Sequence, residues 1–201
     1  MLALSLSSTA FAPASMVPAM RVAPRADVAM MAKSTALPFA EQPAKLDGSM
    51  AGDVGFDPLG LTELGIPLAW MREAEIKHGR VCMLGVVGWI LVDQGLRAPG
   101  AENAPASFAA HDFAVENGRM WVLLMGCLVL EIAGAGALAA SLNGTREPGD
   151  FALTGGQGKT PGAMARLKLA EIKHCRLGMM AFSGIATQQA LTHGEVGFPY
   201  F

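Results

Sequence analysis

The chain has 201 residues, 52% of them hydrophobic and 16% charged, with a mean hydropathy of +0.37, a balance unusual for a soluble domain. The 24 glycines add to this, because small residues let helices approach closely in lipid, so the composition points to a membrane protein. A net charge of −2 provides no basic field and excludes nucleic acid as a partner.

The cysteines, Cys82, Cys127 and Cys175, lie singly in apolar stretches with no CxxC, and read as buried small hydrophobes rather than a disulfide framework. Residues 1–33 read as a targeting leader, not as fold. They carry no acid before Asp27, are rich in Ala, Ser, Pro and Met, and hold Arg21 and Arg25, the composition of a plastid transit peptide. The stretch STAFAP (Ser8–Pro13) resembles the Ala-Phe-Ala-Pro signal-cleavage motif of algae with complex, red-lineage plastids, with Phe11 first after the cut. Leu2 to Leu6 is too short to cross a bilayer. Residues 34–201 then form one domain.

Three helices are expected in it, over about 67–94, 118–142 and 161–192. The first follows Pro67 and stops at Gly95, and only Val81 to Val92 is free of charge. It spans a membrane, which needs about 20 residues, only if part of Glu73 to Arg80 enters the lipid. The second is the most apolar: Met120 to Leu142 holds a single charge, Glu131. The third opens at Pro161, carries charge from Arg166 to Arg176, and continues apolar from Leu177 to Leu191 before Gly194. The intervening stretch 93–118 reads as an acidic loop. The charges place the N-terminus on the stromal side and, after three spans, the C-terminus in the lumen.

The first and third helices repeat one another. Ala74–Arg80 (AEIKHGR) and Ala170–Arg176 (AEIKHCR) differ at one position in seven, 96 residues apart. The match continues through Met83 and Met179, Gly85 and Ala181, and Gly88 and Gly184, which suggests two helices crossing about a pseudo-twofold axis. Within one helix Glu75 and His78 share a face, whereas Arg80 points elsewhere. Isolated charges at a helix centre cost roughly 2.5–3.5 kcal/mol each on insertion scales. Cross-pairing solves this: Glu75 reaches Arg176 and Glu171 reaches Arg80. Loss of Arg176 is accordingly expected to leave Glu75 unpaired in lipid.

Each motif still presents a carboxylate with free lone pairs and an imidazole. Two Glu-x-x-His motifs also mark di-iron bundles, but those need four amphipathic helices and more carboxylates than this chain offers. A bare charge zipper accounts for Glu and Arg and gives His78 and His174 no role. Magnesium in a chlorophyll ring, which needs one axial N or O ligand on a Gly/Ala-rich face, accounts for all of them.

On these residues the chain resembles the three-helix light-harvesting chlorophyll-protein family of eukaryotes, over about Leu46 to Thr192. The Glu-x-x-His-x-Arg copies carry the resemblance, and GDVGFDPLG (Gly52–Gly60) resembles the family's loop before the first helix. It implies an all-α membrane fold with three transmembrane helices, the first and third crossed. It also implies axial ligands at Glu75, His78, Glu131, Glu171, His174 and Gln188, and cross-helix partners at Arg80 and Arg176. A carotenoid-contact loop is implied at Asp53, Phe56 and Asp57. His174 stands where plant members usually have Asn. Plant middle helices often carry Arg three residues after the Glu, where this chain has Gly134, which leaves Glu131 without a local counter-charge. Of the second carotenoid loop only a trace is kept in EPGDFALTGG (Glu147–Gly156).

The implied function is light harvesting in the thylakoid membrane, not catalysis. Chlorophyll a, chlorophyll c and carotenoids of the fucoxanthin, peridinin or diadinoxanthin type would pass excitation to a photosystem core, photosystem I in particular. Neighbouring antenna proteins and thylakoid lipids would be its partners. A photoprotective, energy-dissipating member and a pigment-free scaffold are the alternatives.

Overall fold

The computed structural model describes residues 33–195 except 154, 155, 157 and 159, so the expected leader lies outside the described residues but for Lys33. Among the described residues there are four α-helices, α1 Leu68–Asp93, α2 Ser107–Glu116, α3 Arg119–Leu142 and α4 Pro161–Leu191, with a short 3-10 turn at Leu61–Glu63. Among the described residues there is no strand, only an isolated bridge between Lys33 and Glu41.

Local signals set the helix ends. α4 begins where the Thr160 hydroxyl accepts the Ala163 N–H at 3.3 Å and Pro161 takes the first turn. α3 starts directly after Gly118, and α1 ends before Gly95, both in the left-handed region.

α1 and α4 form the packed centre. Its buried apolar side chains are Ile76, Ile172 and Cys175, the last fully enclosed, with Gly79 and Gly178 between them. A Cβ built on Gly79 would lie 2.2 Å from Cys175 Cβ, and one on Gly178 2.7 Å from Met83 Cγ. The helices meet as backbones because the residues between them are small. Gly79 and Cys175 are equivalent positions of the repeat. A residue that touches its own equivalent sits on the symmetry axis, so this contact marks the pseudo-twofold.

Among the described residues only α3 is both long and apolar enough to cross a membrane by composition, and nothing in its apolar window is buried within the protein. Trp121 is 65% exposed and Leu130 72%. α1 and α4, of 26 and 31 residues, reach ~39 and ~46 Å at 1.5 Å per residue. Their lengths exceed the roughly 30 Å of hydrocarbon, but their charged N-terminal halves leave short apolar runs.

The stretch 93–118 is not all loop: it contains α2. Ser107 docks the start of α2 on the end of α1, its N–H donating to Asp93 Oδ1 at 2.9 Å and its hydroxyl to the Trp89 carbonyl at 2.8 Å. The cap comes from another helix, so no local signal announces it.

Candidate functional site

The crossing brings the two motif copies face to face. Arg80 donates from Nε and Nη2 to Glu171 Oε1, at 2.9 and 2.6 Å. Arg176 Nε donates to Glu75 Oε1 at 2.8 Å. The two pairs differ in one respect: Arg72 also reaches Glu75, at Oε2 and 2.8 Å, from one turn earlier in α1. Glu75 therefore has two guanidinium partners and Glu171 one. The expectation that Arg176 alone neutralises Glu75 is corrected by this i, i+3 pair.

Both arginines also hold a loop. Arg80 Nη2 donates to the Gly149 carbonyl at 2.8 Å, and Arg176 Nη1 to the Gly52 carbonyl at 2.9 Å. Each glycine lies flat on the isoleucine of a crossed helix. A Cβ on Gly52 would meet Ile172 Cγ2 at 2.9 Å, and one on Gly149 would meet Ile76 Cδ1 at 2.6 Å. Both have positive φ, 72° and 79°, so glycine is required by conformation and by space. The following aspartates turn the chain alike: Asp53 Oδ1 accepts from Gly55 N at 2.9 Å and Asp150 Oδ1 from Ala152 N at 2.8 Å. The pseudo-symmetry thus extends into the loops, and the Gly-Asp dipeptides at 52–53 and 149–150 were its signal in the sequence.

His78 and His174 are exposed and behave identically. Each Nδ1 donates to the carbonyl four residues back in its own helix, Ala74 at 2.8 Å and Ala170 at 2.7 Å. A carbonyl only accepts, so Nδ1 carries a proton, and in the neutral form of such an imidazole the free lone pair belongs to Nε2, on an exposed side chain. This oriented imidazole is the form that ligates metals. Among the described residues no group of three or more His, Cys, Asp or Glu converges on one point. Each candidate donor stands alone, which suits a metal already held in a ring and lacking one axial donor.

Glu131 does have a counter-charge. Lys77 of α1 donates to its Oε2 at 2.7 Å across the α1–α3 groove, with the carboxylate side chain 60% exposed. The expectation of an unbalanced acid fails because the cation comes from another helix. Gln188 is half-buried near the end of α4, away from the motif pair in sequence, and its carbonyl caps the helix by accepting from Thr192 N at 3.0 Å.

In the loop before α1, two of the three expected contact residues serve the loop itself. Asp57 accepts from Leu61 N and Thr62 N at 2.9 Å and from the Thr62 hydroxyl at 2.7 Å. Partial burial works against its charge, but the donors of Thr62, Leu61 and Gly60 outweigh it and hold the carboxyl below its ordinary value. Asp53 adds a bond from Gly48 N at 2.8 Å. Phe56 is left outward and exposed, the one of the three with surface to offer.

Sequence reasoning overlooked Glu73. It is buried, accepting from Arg146 Nη2 at 2.9 Å, Gly149 N at 2.7 Å and the Ser141 hydroxyl at 3.2 Å. It ties α1 to the end of α3 and to the loop that Arg80 holds. Arg146 is stacked 4.8 Å over the Phe151 ring and Arg80 lies 5.8 Å from it. The repeat gave a hint, since the counterpart of Glu73 is Leu169, an apolar residue where a charge breaks the match.

The family model described as chlorophyll A-B binding protein matches residues 42–190, three quarters of the chain, which includes every expected site residue from Asp53 to Gln188. Photosystem I chlorophyll a/b-binding protein 5 of Arabidopsis thaliana is 37% identical over 188 residues, covering 80% of this chain and 72% of the relative. Chlorophyll a-b binding protein 6 of the same plant is 33% identical over 170 residues, with 79% and 69% covered. Chlorophyll a-b binding protein CP24 10A of Solanum lycopersicum is 35% identical over 172 residues, with 69% and 66% covered. All three are chloroplastic.

Proposed function

The chain belongs to the chlorophyll a-b binding protein family, and from that premise we propose that it is a light-harvesting antenna whose crossed helices α1 and α4 hold chlorophylls by single axial ligands. The observation that carries this reading is the pair of exposed histidines, each with Nδ1 fixed to its own helix, which leaves Nε2 as the nitrogen available for a ligand. His78 and His174 would supply nitrogen ligands. Glu75, Glu171, Glu131 and Gln188 would supply oxygen ligands, the first beside Arg72 and Arg176, the second beside Arg80 and the third beside Lys77. Bound chlorophyll absorbs light and passes the excitation to its neighbours. The protein's part is to fix ring positions on a backbone that cannot slide, because Gly79 and Cys175 leave no slack at the crossing.

The apolar exterior of α3 supports insertion in the thylakoid membrane as one of three spans, with α1 and α4 admitted because their motif charges are paired. The surplus of basic residues on the N-terminal side supports a stromal N-terminus and a lumenal C-terminus. Phe56, with Asp53 and Asp57 shaping its loop, would receive one carotenoid end. Photosystem I is the proposed destination, supported by the relative named for that photosystem. The red-lineage pigment set is the finer proposal: chlorophyll c with a carotenoid of the fucoxanthin, peridinin or diadinoxanthin type. His174 and the STAFAP leader support it, and the plant relatives, named for chlorophylls a and b, define its alternative. Pigment extraction and a low-temperature fluorescence spectrum of the protein purified in mild detergent test the reading. Chlorophyll a with energy transfer from carotenoid is expected. Absence of chlorophyll would leave the ion-pair network as a scaffold only, and a strongly shortened fluorescence lifetime would make the protein a dissipater.

A further inference from the structure

We propose that Lys77 is the positioning residue that makes Glu131 usable as a magnesium ligand: it neutralises the carboxylate through Oε2 and leaves Oε1 for the metal. This rests on the pigment-binding reading above.

Glu131 is the single charge in the apolar run Met120–Leu142. The positions one turn away on its own helix, Cys127, Leu128, Gly134 and Ala135, include no cation. Among the described residues the sole ion-pair partner of Glu131 is Lys77, whose Nζ lies 2.7 Å from Oε2. Arg146, the nearest basic residue after α3, is committed to Glu73. Magnesium in a chlorophyll ring is already balanced by the two negative charges of the macrocycle. A carboxylate ligand therefore adds an unbalanced negative charge unless the protein supplies a positive one. Lysine suits this duty, since its long stem lies along apolar surface while its head reaches the acid.

The repeat itself isolates the role. Lys77 and Lys173 are equivalent in the two motif copies and both are exposed. Only Lys77 has an ion-pair partner among the described residues, and that partner lies on the unrepeated helix α3. Lysine at this position is thus not a requirement of the crossing. In α1 it couples the motif to the middle helix.

The test compares pigment-loaded wild type with Lys77→Met, Lys77→Arg, Glu131→Ala and the double variant Lys77→Met/Glu131→Gln. Chlorophylls per chain, low-temperature absorption difference spectra and thermal melting are read for each. Lys77→Met is expected to lose one chlorophyll per chain, with the same missing absorption band as Glu131→Ala and an otherwise unchanged spectrum. Lys77→Arg keeps that band. The double variant regains it, because a neutral amide is an oxygen donor that needs no counter-charge. Lysine acting only as a structural tie predicts no regain. Retention of the band in Lys77→Met, or a folded double variant that still lacks it, overturns the proposal while leaving the antenna reading intact. A wild-type protein that takes up no chlorophyll overturns both.

Discussion

Gly79→Ala probes the crossing on which every ligand position depends. The added Cβ would stand 2.2 Å from Cys175 Cβ and 2.7 Å from Cys175 Cα, against an ordinary carbon–carbon contact of about 3.5–4.0 Å. The helices must separate there by roughly 1.3–1.8 Å, the difference between those contacts. Bonds of 2.6–2.9 Å from Arg80 and Arg176 to their cross-helix carboxylates lie one residue from this point and stretch with it. Overpacking of this kind costs about 1–3 kcal/mol. A loss of ~2 kcal/mol lowers the melting temperature of a chain this size by roughly 4–8 °C. The assay is thermal melting of the pigment-loaded protein, followed by far-ultraviolet circular dichroism for helix and by visible circular dichroism for pigment arrangement. Because Gly79 and Cys175 meet on the axis, the exchange Gly79→Cys/Cys175→Gly is expected to recover most of the loss, with one small residue still facing one larger one. Wild-type melting in Gly79→Ala, or an exchange variant no more stable than the single one, would refute the axial contact.

Other perturbations follow from the same contacts. Arg80→Leu is expected to destabilise more than Arg176→Leu, since Glu75 keeps Arg72 whereas Glu171 keeps no cation; equal melting temperatures would contradict the pairing. Arg146→Leu strands the buried Glu73 carboxylate and is expected to cost about 3–5 kcal/mol, read as early loosening of α3 in hydrogen exchange. Asp57 has its carboxyl held below the ordinary value, so its bonds to Leu61 and Thr62 stabilise the loop above an unfolded pKa of about 3.9 and are lost as pH falls through the lower folded value. Proteolysis of the loop should therefore rise only in acid below that range, and Asp57→Asn should show the rise already at neutral pH.

The existence and extent of α1 and α4 were legible because Pro67, Gly95, Pro161 and Gly194 punctuate the chain and the Glu-x-x-His-x-Arg repeat fixes a face on each. The cross-helix placement of Arg80 and Arg176 was legible too, since neither arginine faces the glutamate of its own motif copy. What stayed hidden was made by contacts between distant segments. α2 is ten residues long; its first N–H is accepted by Asp93 and its Ser107 hydroxyl by the Trp89 carbonyl, both of α1, rather than by a neighbour in sequence. Lys77 finds Glu131 54 positions away, and Glu73 finds Arg146 73 away. The second loop shows in the sequence only as a trace, because its resemblance to the first is a Gly-Asp dipeptide and a shared left-handed turn, a likeness of backbone more than of side chains.

The most direct measurement is the chlorophyll content per chain of wild type against His78→Ala/His174→Ala. Each imidazole bonds only to its own helix and is exposed, so removing both should leave far-ultraviolet helicity and melting close to wild type. The account predicts that wild type carries chlorophyll and that the double variant carries two fewer per chain. An unchanged chlorophyll count in a folded double variant would contradict it.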